Sequence, residues 1–85
     1  MISHFQPAFL RALRELSSAD RQTVKRALAD FERDPKAFVA SAKVMPVPFN
    51  SQYSIVYGDL QIRFAVEGDI VKFIKAQTIP NYDDL

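Results

Sequence analysis

The chain has no cysteine, one histidine and two glycines. Without cysteine, neither a disulfide framework nor a thiolate metal site can form. Two glycines and one histidine build no phosphate-cradling glycine loop and no recognisable Ser/His/Asp constellation. His4, alone in a terminal strand, reads as a surface or packing residue. Asp30, Glu32 and Asp34 read as a solvated helix end, and Asp83-Asp84 as a tail charge pair, so no metal and no cofactor is expected. No apolar run approaches the ~20 residues of a membrane span. No basic segment followed by an apolar one opens the chain. A soluble, cytoplasmic protein is therefore expected. Charge of one sign is also lacking. Eleven Lys+Arg stand against ten Asp+Glu, for a net +1. Nothing in that balance pulls the chain toward nucleic acid as a whole, so phosphate binding would need a local patch.

What is present suits a folded domain. The 85 residues are 48% apolar and include seven phenylalanines. One domain spanning residues 1–85 is expected, with a modest core, because a chain this short buries only about 60–65% of its unfolded surface.

Both glycines lie near the C-terminal end, in Gly58-Asp59 and Glu67-Gly68-Asp69. They separate three runs rich in β-branched and aromatic residues: 53–57, 60–66 and 70–76. Runs of this length joined by so few residues must be antiparallel neighbours, which predicts a three-stranded meander. In the middle strand Leu60, Ile62, Phe64 and Val66 share one face, and Gln61, Arg63, Ala65 and Glu67 the other. In the third, strict alternation sets Ile70, Lys72, Ile74 and Ala76 against Val71, Phe73 and Lys75. In the first, Tyr53, Ile55 and Tyr57 face away from Ser54 and Val56. One face meets a core and needs a cover.

The N-terminal half supplies that cover. Residues 2–6 read as a short strand, and Pro7 suits a first helical turn. Phe9, Leu10, Leu13 and Leu16 fall at helical spacing, with Arg11, Arg14 and Glu15 opposite. Ser17 or Ser18 caps a second helix that runs to about Arg33, with Val24, Leu28 and Phe31 as its stripe and Ala27 beside them. Asp34-Pro35 ends it. Residues 36–42 predict one or two further helical turns, docking Phe38 and Val39. Residues 43–52, with Pro46 and Pro48, predict an irregular ordered loop. Residues 77–85 predict a polar tail. Helices segregated from an antiparallel sheet make an α+β fold.

This order, together with the phrase Tyr53-x-Ile55-x-Tyr57-Gly58-Asp59-Leu60-x-Ile62-x-Phe64-x-Val66-x-Gly68-Asp69-Ile70-Val71-Lys72-Phe73-Ile74, resembles the RelE/ParE superfamily of small bacterial toxins. The resemblance covers nearly the whole chain. It implies a short N-terminal strand, a helical hairpin and a three-stranded antiparallel meander. It also implies the toxin of a type II toxin–antitoxin pair, neutralised by a cognate antitoxin. RelE-like members cleave messenger RNA on the ribosome; ParE-like members bind gyrase without chemistry. A third alternative is a catalytically degenerate interaction module. Antitoxin binding is expected on exposed sheet surface or a sheet edge.

The resemblance implies basic residues at Ser54 and Gln61, where this chain is uncharged. Arg63, on Gln61's face, stands about 7 Å along the strand from it. Lys75 and Lys43 match places where the family is often basic. RNA cleavage by 2′-hydroxyl attack needs a proton acceptor, a donor to the leaving oxygen, and positive charge on the transition state. The candidate catalytic set is Arg63, Lys75 and Tyr82, with Tyr82 as acid or base-stacking ring. Lys43, Gln61, Arg11 and Arg14 are the candidate RNA-binding residues, Arg11 and Arg14 being neighbours on one helix face. Arg21, Lys25 and Arg26 extend that basic surface. The ribosome and messenger RNA are the implied partners of such a set. The plain alternative is that Arg63 and Lys75 are solvated strand residues, that Tyr82 packs on the sheet edge, and that the helix arginines form an ordinary charged surface.

Overall fold

A computed structural model describes residues 1–49 and 51–79 of the chain. The elements in order are β1 (Ile2–Phe5), α1 (Pro7–Glu15), α2 (Ser18–Arg33), α3 (Pro35–Ala40), β2 (Lys43–Val44), β3 (Gln52–Tyr57), β4 (Leu60–Glu67) and β5 (Ile70–Thr78). They form one five-stranded sheet in the order β1-β5-β4-β3-β2, with the helices on one face. The α+β architecture and the meander β3-β4-β5 are those the sequence predicts. Gly58 and Gly68 sit at φ of 64° and 58°, the left-handed region that turn residues of this kind supply without steric cost.

Helix boundaries follow local chemistry. Pro7 opens α1 at a position where a missing N–H costs nothing. Ser17 Oγ accepts the Asp20 N–H at 3.1 Å and caps α2. Asp34 stops α2, and its carboxylate accepts the Ala37 N–H at 3.2 Å to start α3. Phe9, Val24, Ala27, Phe31 and Phe38 then meet Leu60, Ile62, Phe64, Val71 and Phe73 in the core. Leu10 departs from the predicted stripe. It is exposed, while Phe9, Leu13 and Leu16 face the sheet. Among the described residues no helix is long and apolar enough to cross a membrane.

Three expectations are corrected. The segment predicted as an irregular loop contains β2, which pairs antiparallel with β3 through Lys43↔Ser54 and Val44↔Tyr53. The prolines lie beyond the paired residues, so no ladder donor is lost. The third meander strand continues through Gln77 and Thr78, beyond the end at Ala76 that the alternation predicts, because both find partners on β4 at Gln61 and Leu60. The third correction concerns faces. In β5, Phe73 pairs with Phe64 and Lys75 with Arg63, so Ile74 is an extra residue with no counterpart on β4. Such a β-bulge inverts the alternation beyond it. Val71, Phe73 and Ala76 point to the core, and Lys75 moves to the outer face.

Candidate nucleic-acid interface

Directly paired residues on neighbouring strands share a face. Ser54 lies between the core-facing Tyr53 and Ile55, and is therefore on the face away from the helices. Its partners continue across the sheet: Lys43 on β2, Ser54 on β3, Arg63 on β4 and Lys75 on β5 form one row. Three strand spacings make that row roughly 14 Å wide at the backbone. The Ile74 bulge completes it, since strict alternation from Val71 and Phe73 would have turned Lys75 to the core face. None of the three cations has an ion-pair partner among the described residues. Lys72, on the same face, does: its Nζ lies 2.8 Å from Glu67.

Arg63 is held by an aromatic ring. Its guanidinium carbon lies 4.7 Å from the centroid of Phe49. Two residues along the strands from Arg63 and Lys75, Gln77 Nε2 donates to Gln61 Oε1 at 3.0 Å, so these amides bond each other. Of the predicted site residues, the sheet gathers Lys43, Gln61, Arg63 and Lys75. Arg11 and Arg14 are exposed on α1, in the helix layer on the opposite side, and do not join them. Tyr82 lies outside the described residues. Phe49 was not singled out from the sequence. Its signal was an aromatic inside a proline-rich connection, where neither a helical nor a strand period gives it a core to join.

A second feature lies at the sheet margin. β2 covers β3 only at Tyr53 and Ser54, which leaves residues 55–57 as open edge. A cavity of about 400 Å³ lies there, lined by Ser41, Lys43 and residues 54–57. At its end the Tyr57 hydroxyl donates to Asp30 Oδ2 at 2.7 Å, and Arg33 Nη2 donates to Oδ1 at 2.8 Å. The Tyr57 bond, aided by Arg33, holds the Asp30 carboxyl below its ordinary value, against a smaller opposing effect of burial. Burial first, and the carboxylate second, push the Tyr57 phenol up to about 12.

The sign of the resulting pH dependence is definite. Below the ordinary phenol value of 10.0 both folded and unfolded chains keep the proton, and the contribution is complete. As pH rises from there to about 12, only the unfolded chain ionises, so stability falls across that window. Tyr57→Phe is expected to cost about 1 kcal/mol at neutral pH. It should also flatten the alkaline fall in Tm, read by circular dichroism melts from pH 8 to 12. An equally steep alkaline fall in the variant would refute the assignment.

Neither a protein-family model nor a curated protein sequence matches the chain. Solved structures do match in fold. The toxin–antitoxin complex RelBE2 of Mycobacterium tuberculosis aligns with TM-score 0.74 at 16% identity, over 91% of this chain and 95% of that one. The isolated E. coli RelE toxin aligns with TM-score 0.74 at 18% identity, over 98% and 88%. A YoeB/ParE toxin from Agrobacterium tumefaciens gives 0.68 at 9% identity, over 94% and 100%. In three dimensions the chain shares the fold of these RelE and YoeB/ParE toxin structures.

Proposed function

We propose that residues 1–85 form a single-domain toxin of a type II toxin–antitoxin pair, a RelE-like, ribosome-dependent messenger-RNA endoribonuclease that arrests translation in the cytoplasm. The observation that carries this reading is the row Lys43, Arg63 and Lys75, set on the open sheet face by pairing and by the Ile74 bulge. A polyanion is the natural partner of aligned cations that have no ion-pair partner among the described residues. In the 2′-hydroxyl attack the hydroxyl proton passes to water, and Arg63 and Lys75 supply charge to the pentacoordinate phosphorus. Tyr82 protonates the leaving oxygen or stacks on a base. Lys43 and Gln61 hold the strand to either side. The open edge of β3 at residues 55–57 offers backbone groups for an extended antitoxin segment to pair with.

A second reading, gyrase occlusion of the ParE kind, is favoured by one feature. Gln61 and Gln77 bond each other where the RelE resemblance implies a cation at Gln61. Induction of the chain alone in bacteria separates the readings. Rapid translation arrest with cut messages, abolished by Arg63→Ala and by Tyr82→Phe, is the expected result. Filamentation with DNA-damage signalling and intact messages would replace it with the gyrase reading. Normal growth would leave an interaction module.

A further inference from the structure

The connection between β2 and β3 is built to present one ring. The Phe49 N–H donates to the Pro46 carbonyl at 2.8 Å, and the Phe49 carbonyl accepts the Gln52 N–H at 2.8 Å. The Met45 N–H closes the base of the connection on the Gln52 carbonyl at 2.9 Å. Two consecutive turns thus fix Phe49 from both sides, with Pro46 and Pro48 removing backbone freedom before it. The ring does not join the core. It lies against the Arg63 guanidinium and keeps 40% of its surface exposed. Arg63 Nε is buried without a hydrogen-bond partner among the described residues. Among the described residues the charge is oriented by an aromatic face rather than by a carboxylate.

We propose that Phe49 is a stacking platform for one unpaired base of a single-stranded RNA whose phosphates lie along Lys43, Arg63 and Lys75. This deepens the RNA reading of the same face and rests on it. A fixed, half-exposed ring beside a line of cations is the arrangement with which sequence-tolerant single-strand sites work: cations track the backbone, and the ring takes a base. Phe49 also positions Arg63, whose guanidinium carbon lies 4.7 Å from the ring centroid.

The test uses the full chain and a 12-nucleotide single-stranded RNA carrying 2-aminopurine, whose fluorescence is quenched on stacking. Wild type is expected to bind with quenching. Phe49→Leu, which keeps an apolar side chain, should weaken binding by roughly tenfold. It should also lose the quench while keeping the salt dependence of affinity, and its Tm should stay within a few degrees because the ring is outside the core. Phe49→Trp should restore both. Lys75→Gln should reduce the salt dependence and keep the quench. RNA binding by wild type with unchanged affinity and quench in Phe49→Leu would overturn the stacking role and leave the RNA face standing. No RNA binding by wild type would overturn the stacking proposal, while the ribosome-dependent reading stands or falls on the induction experiment.

Discussion

Replacing Phe73 by alanine is expected to remove about 4 kcal/mol of stability. The ring is fully buried on the core face of β5. It meets Phe5 at 5.5 Å, Phe9 at 5.7 Å, Phe31 at 5.4 Å, Phe38 at 6.3 Å and Phe64 at 6.0 Å between centroids. Those five partners come from β1, α1, α2, α3 and β4. One side chain therefore ties every helix and two strands together, and each edge or offset contact adds to the area it buries. The partners are fixed by their own elements and can collapse only partly into the space left behind, so the cavity cost adds to the transfer cost. Small domains have about 5–15 kcal/mol in total, and this loss is a large share of it. Urea unfolding followed by circular dichroism should show the midpoint falling steeply, with Phe73→Leu falling less because it refills much of the volume. A Phe73→Ala unfolding free energy within about 1 kcal/mol of wild type would mean that the aromatic cluster is not the mechanical centre of the fold.

The position of Phe73 illustrates what the sequence made legible. Period-two alternation and two turn glycines identified β3, β4 and β5, and helical spacing identified the cover, because each of these signals is local. The parallel pairing of β1 with β5 brings Ile2 beside Ile70 across three helices and three strands, and no local period records it. β2 was missed because two residues carry no period at all. The bulge was missed for a different reason. Alternation was extended through Ile74, although Ala76 and Lys75 sit on the wrong sides of such a pattern for a core that already contains Phe73. The structure resolves the conflict by inserting one unpaired residue. Arg63 and Lys75 were thus nominated one by one, while their alignment with Lys43 needed strand register. The role of Phe49 needed the path of a proline-rich connection.

That register carries the second large expected effect. Neutralising the row with Lys43→Gln, Arg63→Gln and Lys75→Gln together should abolish growth arrest on induction and remove most of the salt dependence of RNA binding. For single strands, each phosphate contact contributes about −0.7 to the slope of log affinity against log salt. Three contacts give a slope near −2, which lowers wild-type affinity roughly twentyfold between 50 and 200 mM salt. The triple variant should be nearly flat across that range. Lys43 and Lys75 are exposed, so their substitution should shift stability by no more than about 0.5 kcal/mol each. Arg63 is half-buried on Phe49, and its loss adds about 1 kcal/mol, which leaves the fold intact. Arg11→Gln with Arg14→Gln is the matched control, since it removes two cations from the helix layer on the opposite side of the sheet. It changes net charge by a similar amount but leaves the row untouched, so its slope should remain near −2. If instead the control flattens the slope and the triple variant keeps it, the RNA-facing surface is the helix layer, and the bulge at Ile74 serves the packing of Ala76 rather than the placement of Lys75.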